Sequence, residues 1–518
     1  MGIIKGSTIG IILAALSFLI YVCTVFALPQ QRDNPFVVER VSVAAAVSNI
    51  DYGAPLGTLY SGVLQGFLDD FYRQIYKPLQ QVFDEWPSDV QHGNLVEVSN
   101  DGNGVGYVLA ATMAMRIFGL DAMSLPLFTF ALMGLSALAL LCRFRGDLAG
   151  LVILYFCSLT ALLFTRLVWD SNYSPQIAVG GIRYFSLVAI LPAFHLLFDL
   201  LAPPAGEAGA TTRNTFLLGA QATILLFAVL VRTSAGSLIG AIVLVGLLIA
   251  WRSRGNTRQM RMVMREGAVM ALASIGFIAA VVLSVPDYAK SGRLSSVLWH
   301  RVVISLSVNP AWPFGDVAQT YVCRTPGGIQ GLGTDQIGHC IWGDYAIRHD
   351  MSEREMLAGV YGGQYEAVMR GAFIEIARRY PAEVLKTFFY YKPRQILSTL
   401  GLVLQAKMSV FPPLAIGLLV AALGNMFVYS IGAAGVPASN RRRIMVAGTL
   451  LFTASTVPPY LVAWAYPATI ADLLFFAVFC VGLALGELCS GIRAVLRQQA
   501  FVKEAIRAIG QEKRGETK

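Results

Sequence analysis

Charge is scarce in this chain. Only 14% of its 518 residues are Asp, Glu, Lys or Arg and 56% are hydrophobic, a balance that excludes an ordinary soluble domain, where charged residues make up about a quarter. Histidine is nearly absent. His92, His300, His339 and His349 are scattered over polar stretches without metal-ligand spacing, and His195 is alone in an apolar run, where a hydrogen-bonded structural role is expected. There is no Gly-rich Walker loop, no dinucleotide fingerprint and no His-Glu-x-x-His. These absences argue against a soluble nucleotide-using enzyme, and neither a metal nor a bound cofactor is expected. Of seven cysteines, Cys23, Cys142, Cys157, Cys480 and Cys489 lie in or beside apolar runs, where a free thiol behaves as a small hydrophobe. Only Cys323 and Cys340 share a polar segment. If that segment faces an oxidising compartment, the two are expected to pair.

What the chain has instead is apolar runs of membrane-spanning length, about 20 residues each. After a first run, Thr8 to Leu28, they fall at Ala122 to Cys142, Leu148 to Trp169, Tyr184 to Leu201, Thr215 to Val231, Leu238 to Trp251, Ala268 to Val285, Leu414 to Ala434, Ile444 to Val462 and Ile470 to Leu488. The expected fold is an all-α polytopic membrane protein of about ten transmembrane helices. The formal net charge of +9 sits in short connections, so it reads as an orientation signal rather than a nucleic-acid footprint. Under this count Arg143-Phe144-Arg145, Arg252 to Arg265, Arg441-Arg442-Arg443 and the basic tail all share one side. The positive-inside rule makes that side cytoplasmic, with both termini there. The first run exceeds the ~7 to 15 residues of a signal-peptide core and reads as an anchor, although Val25 and Ala27 fit a small-residue cleavage pattern.

The chain then divides into an anchor helix (1–28), a first external loop with juxtamembrane helices (29–121), a transmembrane bundle (122–285), a second external loop (286–398), C-terminal transmembrane helices (399–489) and a basic cytoplasmic tail (490–518). Two readings shape this division. Taking Gly106 to Gly119 as a full span would turn the arginine-rich connections outward, so it is expected to lie on, or dip into, the membrane from outside. In the second loop, Trp312-Pro313-Phe314-Gly315 and Thr325-Pro326-Gly327-Gly328 predict little regular structure in the first half. Ser352 with Glu355 forms a capping box before a helix from Met356 to Tyr380 that Pro381 ends, and an amphipathic helix, Ala382 to Leu397, leads back to the membrane.

Acidic residues beside membrane segments are costly unless paired, hydrated or used. Asp51 follows the anchor, Asp101 precedes the dipping helix in Asn100-Asp101-Gly102-Asn103-Gly104, and Asp170 follows the third span. Each has a plainer reading: Asp51 as a helix cap, Asp101 as a turn residue, Asp170 as a partner of Arg166 or Arg183. The pair Asp69-Asp70 suits a solvated helix face.

With its anchor, an external loop carrying an early Asp, and Gly104-Val105-Gly106-Tyr107-Val108-Leu109 running through Phe118-Gly119 into a long span, the chain resembles the GT-C glycosyltransferases. The likeness is to the branch using polyprenyl-phosphate sugars, including the aminoarabinose transferase of lipid A and the protein mannosyltransferases. The Pro-Pro pair of that family's Pro-Pro-Leu-Tyr-Tyr stretch is replaced by glycines here, and no Asp-Glu or Asp-x-Asp pair sits at Asp51. The resemblance implies a bacterial inner-membrane enzyme transferring a sugar from a polyprenyl-phosphate donor to a glycan, lipid or protein acceptor on the outer face. It places the family's acidic residues on Asp51, Asp101 and Asp170. Phosphate partners are then Arg183, Arg232, Arg293, His300 and Arg301, since guanidinium forks match phosphate oxygens. An O-antigen ligase or polymerase, and a transporter or flippase, are the alternatives.

Overall fold

The computed structural model describes residues 6–28, 59–60, 96–97, 105–120, 123–144, 148–165, 179–201, 212–253, 256–284, 298–321, 323, 328–332, 334–352, 355–356, 363–398, 438–462 and 479–485, with a few single residues beyond. Apart from one two-residue antiparallel pairing, Leu59–Tyr60 with Val96–Glu97, the regular structure among them is helical. The helices are α1 (Gly6–Ala27), α2 (Val105–Phe118), α3 (Ser124–Arg143), α4 (Ala149–Thr165), α5 (Ile190–Leu201), α6 (Thr212–Val231), α7 (Gly236–Arg252) and α8 (Thr257–Ser284). They continue with α9 (Leu298–Ser305), α10 (Thr334–Arg348), α11 (Gly363–Arg379), α12 (Pro381–Lys386) and α13 (Ala438–Val462).

Four of the described helices hold stretches long and apolar enough to cross a bilayer: Thr8–Ala27, Ser124–Arg143, Thr212–Val231 and Gln259–Leu283. The chain is therefore an all-α protein with several membrane-length helices, and ten spans are not seen among the described residues. Shorter apolar helices accompany the four, among them Ala149–Leu163, Phe185–Leu201 and Gly236–Arg252. The expected span Leu414 to Ala434 lies outside the described residues, as does most of Ile470 to Leu488.

Ring and side-chain contacts fix the direction of each helix. Phe18 of α1 meets Phe156 of α4, and a side chain on Gly10 would touch Ala149, so α1 and α4 run parallel. Phe130 of α3 meets Tyr21 and Phe26 near the end of α1, so α3 runs the other way. Phe128 of α3 packs on Phe227 of α6 while Ser136 bonds Gln221, and Phe277 of α8 packs on Phe227. The arrangement sorts the connections into two sets. Arg143, Arg252 and the start of α8 fall at one end of the bundle, the basic end. The ends of α1 and α8, where the two long polar segments begin, fall at the other.

Helix α2 is short and lies against α3 and α6 at that second end. Its N-terminus abuts the end of α6: a Cβ on Gly106 would sit 2.2 Å from the Leu230 carbonyl oxygen, an approach only glycine permits. Its C-terminus leads straight into the start of α3, so both its ends are at one level. Tyr107, Ala110, Ala111 and Ala114 are buried while Arg116 is exposed, the one-sided pattern of a helix laid on a bundle.

Two readings of the sequence need correction. Among the described residues of the first half of the second polar segment, 312–315 lie outside any helix as expected, but α9 and α10 are helical, because they dock on α11 through Val303, Ile304, Ile337, Ile341, Trp342, Tyr365 and Met369. Tertiary burial overrides the turn-forming residues between them. Helix α8 begins at Thr257, eleven residues before the apolar run, so Arg265 and Glu266 are helical rather than loop charges. Arg143 is likewise a buried last-turn residue of α3. The capping box forms, with the Ser352 hydroxyl donating to Glu355 Oε2 at 2.7 Å.

Candidate functional site

Three features meet at the end of the bundle opposite the arginine-rich connections. The start of α2 lies on Leu230, the Tyr107 hydroxyl donates to the Gly180 carbonyl at 2.9 Å, and Gly180 packs so closely on Leu125 and Pro126 that a Cβ would come within 2.7 Å of the former. Arg232, half-buried, immediately follows α6 at the same end, and the 3-10 turn Ile182–Tyr184 carries Arg183 there. Asp51, Asp101, Asp170, Arg293 and the Asp69-Asp70 pair lie outside the described residues, as does the side chain of Arg183.

His300 and Arg301 stand on α9, in the second polar segment. The His300 ring is 4% exposed, with Nδ1 at 2.7 Å from the Tyr365 hydroxyl and Nε2 at 3.8 Å from Asp335 Oδ1. The Glu366 carboxylate accepts the backbone N–H groups of Trp299 and His300 at 2.8 and 3.1 Å, capping the start of α9 as an anion does best. Gly338 of α10 seals the pair, since a Cβ there would lie 2.3 Å from His300 Nδ1 and 2.6 Å from the Tyr365 oxygen. The imidazole is thus held inside a three-helix core, and the groups turned outward are Asp335, exposed His339 and half-buried Arg301. The His300 ring beside it holds the Asp335 carboxyl below its usual range. Partial desolvation, with His300 close by, lowers His339, and burial raises Glu366.

Cys323 and Cys340 are joined as a disulfide, with their Cα atoms 5.4 Å apart, inside the usual window for the bond. The bond ties a loop to the middle of α10, two residues from Gly338. Closing so short a loop is worth about 3 kcal/mol on the loop-entropy model. Cys323→Ser with Cys340→Ser should lower the unfolding free energy of the segment by about that much. Ready alkylation of both wild-type thiols by a membrane-impermeant maleimide before any reductant would exclude the bond in the cell.

Sequence reasoning missed Lys392. A π-helical turn, Thr387–Tyr391, succeeds α12 and precedes Pro393, whose missing N–H cannot serve the carbonyl one turn back. The extra residue rotates the next helical turn and carries Lys392 to a fully buried position. Asn309 fastens the same turn, donating to Thr387 Oγ1 at 3.1 Å and to the Glu383 carbonyl at 3.2 Å. Burial pushes the Lys392 ammonium down to about 7. The only sequence signal was a lysine beside a proline in an amphipathic helix. Because the unfolded chain keeps this proton up to its ordinary value near 10.5 while the folded one loses it near 7, stability should rise with pH across that window. Lys392→Met should flatten the rise in a melting-temperature series between pH 7 and 10; an unchanged slope would place the lysine in solvent.

A second buried polar set lies toward the basic end. Asp199 of α5 bridges Arg143 Nη2 at 2.6 Å and Arg265 Nη2 at 2.7 Å, and buried Glu266 stands 4.0 Å from Arg265. One turn back along α5, His195 Nδ1 is 3.1 Å from the Gln221 amide nitrogen, which also donates to the Ser136 carbonyl. No group of three or more metal-ligating side chains is found among the described residues. Compared with protein-family models, curated proteins and solved structures, the chain matches none.

Proposed function

We propose that the protein is a membrane glycosyltransferase that moves a sugar from a polyprenyl-phosphate donor to an acceptor at the membrane face opposite the arginine-rich connections. The observation that carries this reading is the common origin of both long polar segments at one end of the bundle, where α2, Gly180 and Arg232 also converge. A lipid-linked donor delivers its sugar at the bilayer surface, so such an enzyme gathers its polar surface there. The acceptor hydroxyl attacks the anomeric carbon and its proton passes to a carboxylate, for which Asp51 is the choice, with Asp101 orienting the acceptor and Asp170 in support. The C–O bond breaks toward the departing phosphate, whose growing charge Arg183, Arg232, Arg293 and Arg301 offset. His300, enclosed by Tyr365 and Gly338, is better suited to holding α9 in place than to meeting phosphate.

Transport is less well supported. Carriers put charged groups near the bilayer midplane, whereas the charged Arg143 is the last residue of α3 and Asp199 is two residues from the end of α5, and the mid-bundle His195 is engaged by Gln221. The test is to supply membranes, with and without the protein, with radiolabelled polyprenyl-phosphate sugars and follow the label into lipid, glycan and protein fractions. Protein-dependent transfer supports the reading. Label that stays on the polyprenyl phosphate across a panel of sugars overturns it.

A further inference from the structure

Between α2, α3, α6 and α8 lies a cleft of about 400 Å³. Its lining is mostly apolar, with Phe128, Ile224, Phe227, Phe277 and Met113 among it, and Phe128 and Phe277 both pack on Phe227 to form one wall. The only charged side chain in its lining is Arg116, which is exposed and, among the described residues, has no carboxylate paired with it. Three of the four wall helices are of membrane-spanning length. The lining residues of α3 lie in its first turns and those of α8 in its last. The cleft therefore opens in the leaflet at the end opposite the arginine-rich connections, and Arg116 comes from the last turn of α2, at that leaflet's surface.

An apolar void of this size in a packed bundle forfeits dispersion contacts along its whole lining. Water is a poor filler, because its walls offer few polar partners. A hydrocarbon chain from the surrounding bilayer restores the contacts, and a phosphate at its head matches Arg116 in sign and depth. We infer that the cleft is a lipid site holding one acyl chain of a phospholipid, with the phosphate on Arg116. Volume and supply select the occupant. At roughly 30 Å³ for a water-sized group such as a methylene, the cleft takes about a dozen methylenes, the bulk of one acyl chain. Phospholipid is also the component present in greatest excess, so mass action favours it. This inference stands apart from sugar transfer, and a protein with no transferase activity would keep the site.

The experiment places the full chain in bilayer nanodiscs doped with a phospholipid bearing a diazirine on its acyl chain, irradiates them and maps adducts by peptide mass spectrometry. Adducts should concentrate on the segments around Met113, Ile224 and Phe277. The exposed face of α1, with Ile12 and Leu19 outward, reports ordinary lipid contact as the internal reference. Ile224→Trp fills the cleft and should remove most of its adducts while leaving those on α1. Arg116→Glu, at an exposed position that leaves the packing intact, should lower them about fivefold, as expected for one basic contact with a headgroup. The inference is overturned if cleft adducts are no denser than those on α1 or are unchanged in both variants. It is also overturned if a diazirine polyprenyl phosphate at lower concentration displaces the phospholipid, which would make the cleft a carrier site.

Discussion

Asp199→Ala is expected to lower the unfolding free energy by about 3 to 5 kcal/mol, the usual cost of removing one partner from a buried ion pair. Asp199 is 0% exposed and its two oxygens hold guanidinium groups from two different helices, Arg143 of α3 and Arg265 of α8. Without it the guanidinium groups lose the carboxylate that joins them in an apolar bundle, and among the described residues Glu266 stands 4.0 Å from Arg265. The loss then comes less from a missing attraction than from charge left uncompensated. Asp199→Asn keeps the shape and one acceptor oxygen, so it should fall between wild type and alanine. Thermal or denaturant unfolding in mixed micelles measures both. An alanine variant within about 1 kcal/mol of wild type, the range of an exposed pair, would mean that water reaches the cluster.

Turnover should fall by about 10²-fold or more in Asp51→Asn, with donor binding changed far less. The substitution keeps the size and hydrogen-bonding reach of the side chain and removes its basicity. The loss should therefore appear in kcat rather than in donor affinity. The polar segment that carries Asp51 leaves α1 at the bundle end where α2 and Arg232 lie, which puts its start on the proposed reaction face. The neighbouring pair provides the control. Near-normal transfer by Asp51→Asn, with transfer abolished by Asp69→Asn or Asp70→Asn, would shift the base to that pair.

The positions of α1, α3 and α6 were legible because their apolar runs are long, and these helices begin and end within a few residues of the runs. Residues that a helix needs for reasons other than apolarity were not. Arg265 and Glu266 precede the apolar run of α8 and look like loop charges until Asp199, 66 residues away, is seen to receive Arg265. A lone aspartate and histidine in the run ending at Leu201 were the one hint of a polar interior. The turn-rich stretch before α10 misled for a related reason: its glycines and prolines connect short helices whose burial partners lie on α11. Lys392 depends on a register shift that no periodicity shows. For the residues singled out for chemistry, only their order relative to the membrane segments was legible, and the described helices give those segments a common end.

The parallel pairing of α1 with α4 bears on how the protein is made. Phe18 and Tyr21 rest on Phe156, and the Tyr21 hydroxyl meets that of Tyr184. The main partner of the first helix is therefore synthesised more than a hundred residues after it. At roughly 5 to 20 residues per second of translation, α1 waits for several seconds with its glycine-bearing face toward lipid or an insertion factor. A translational slowdown anywhere between the two helices lengthens that wait, so synonymous changes in this stretch of the message can alter the yield of folded protein without altering the protein.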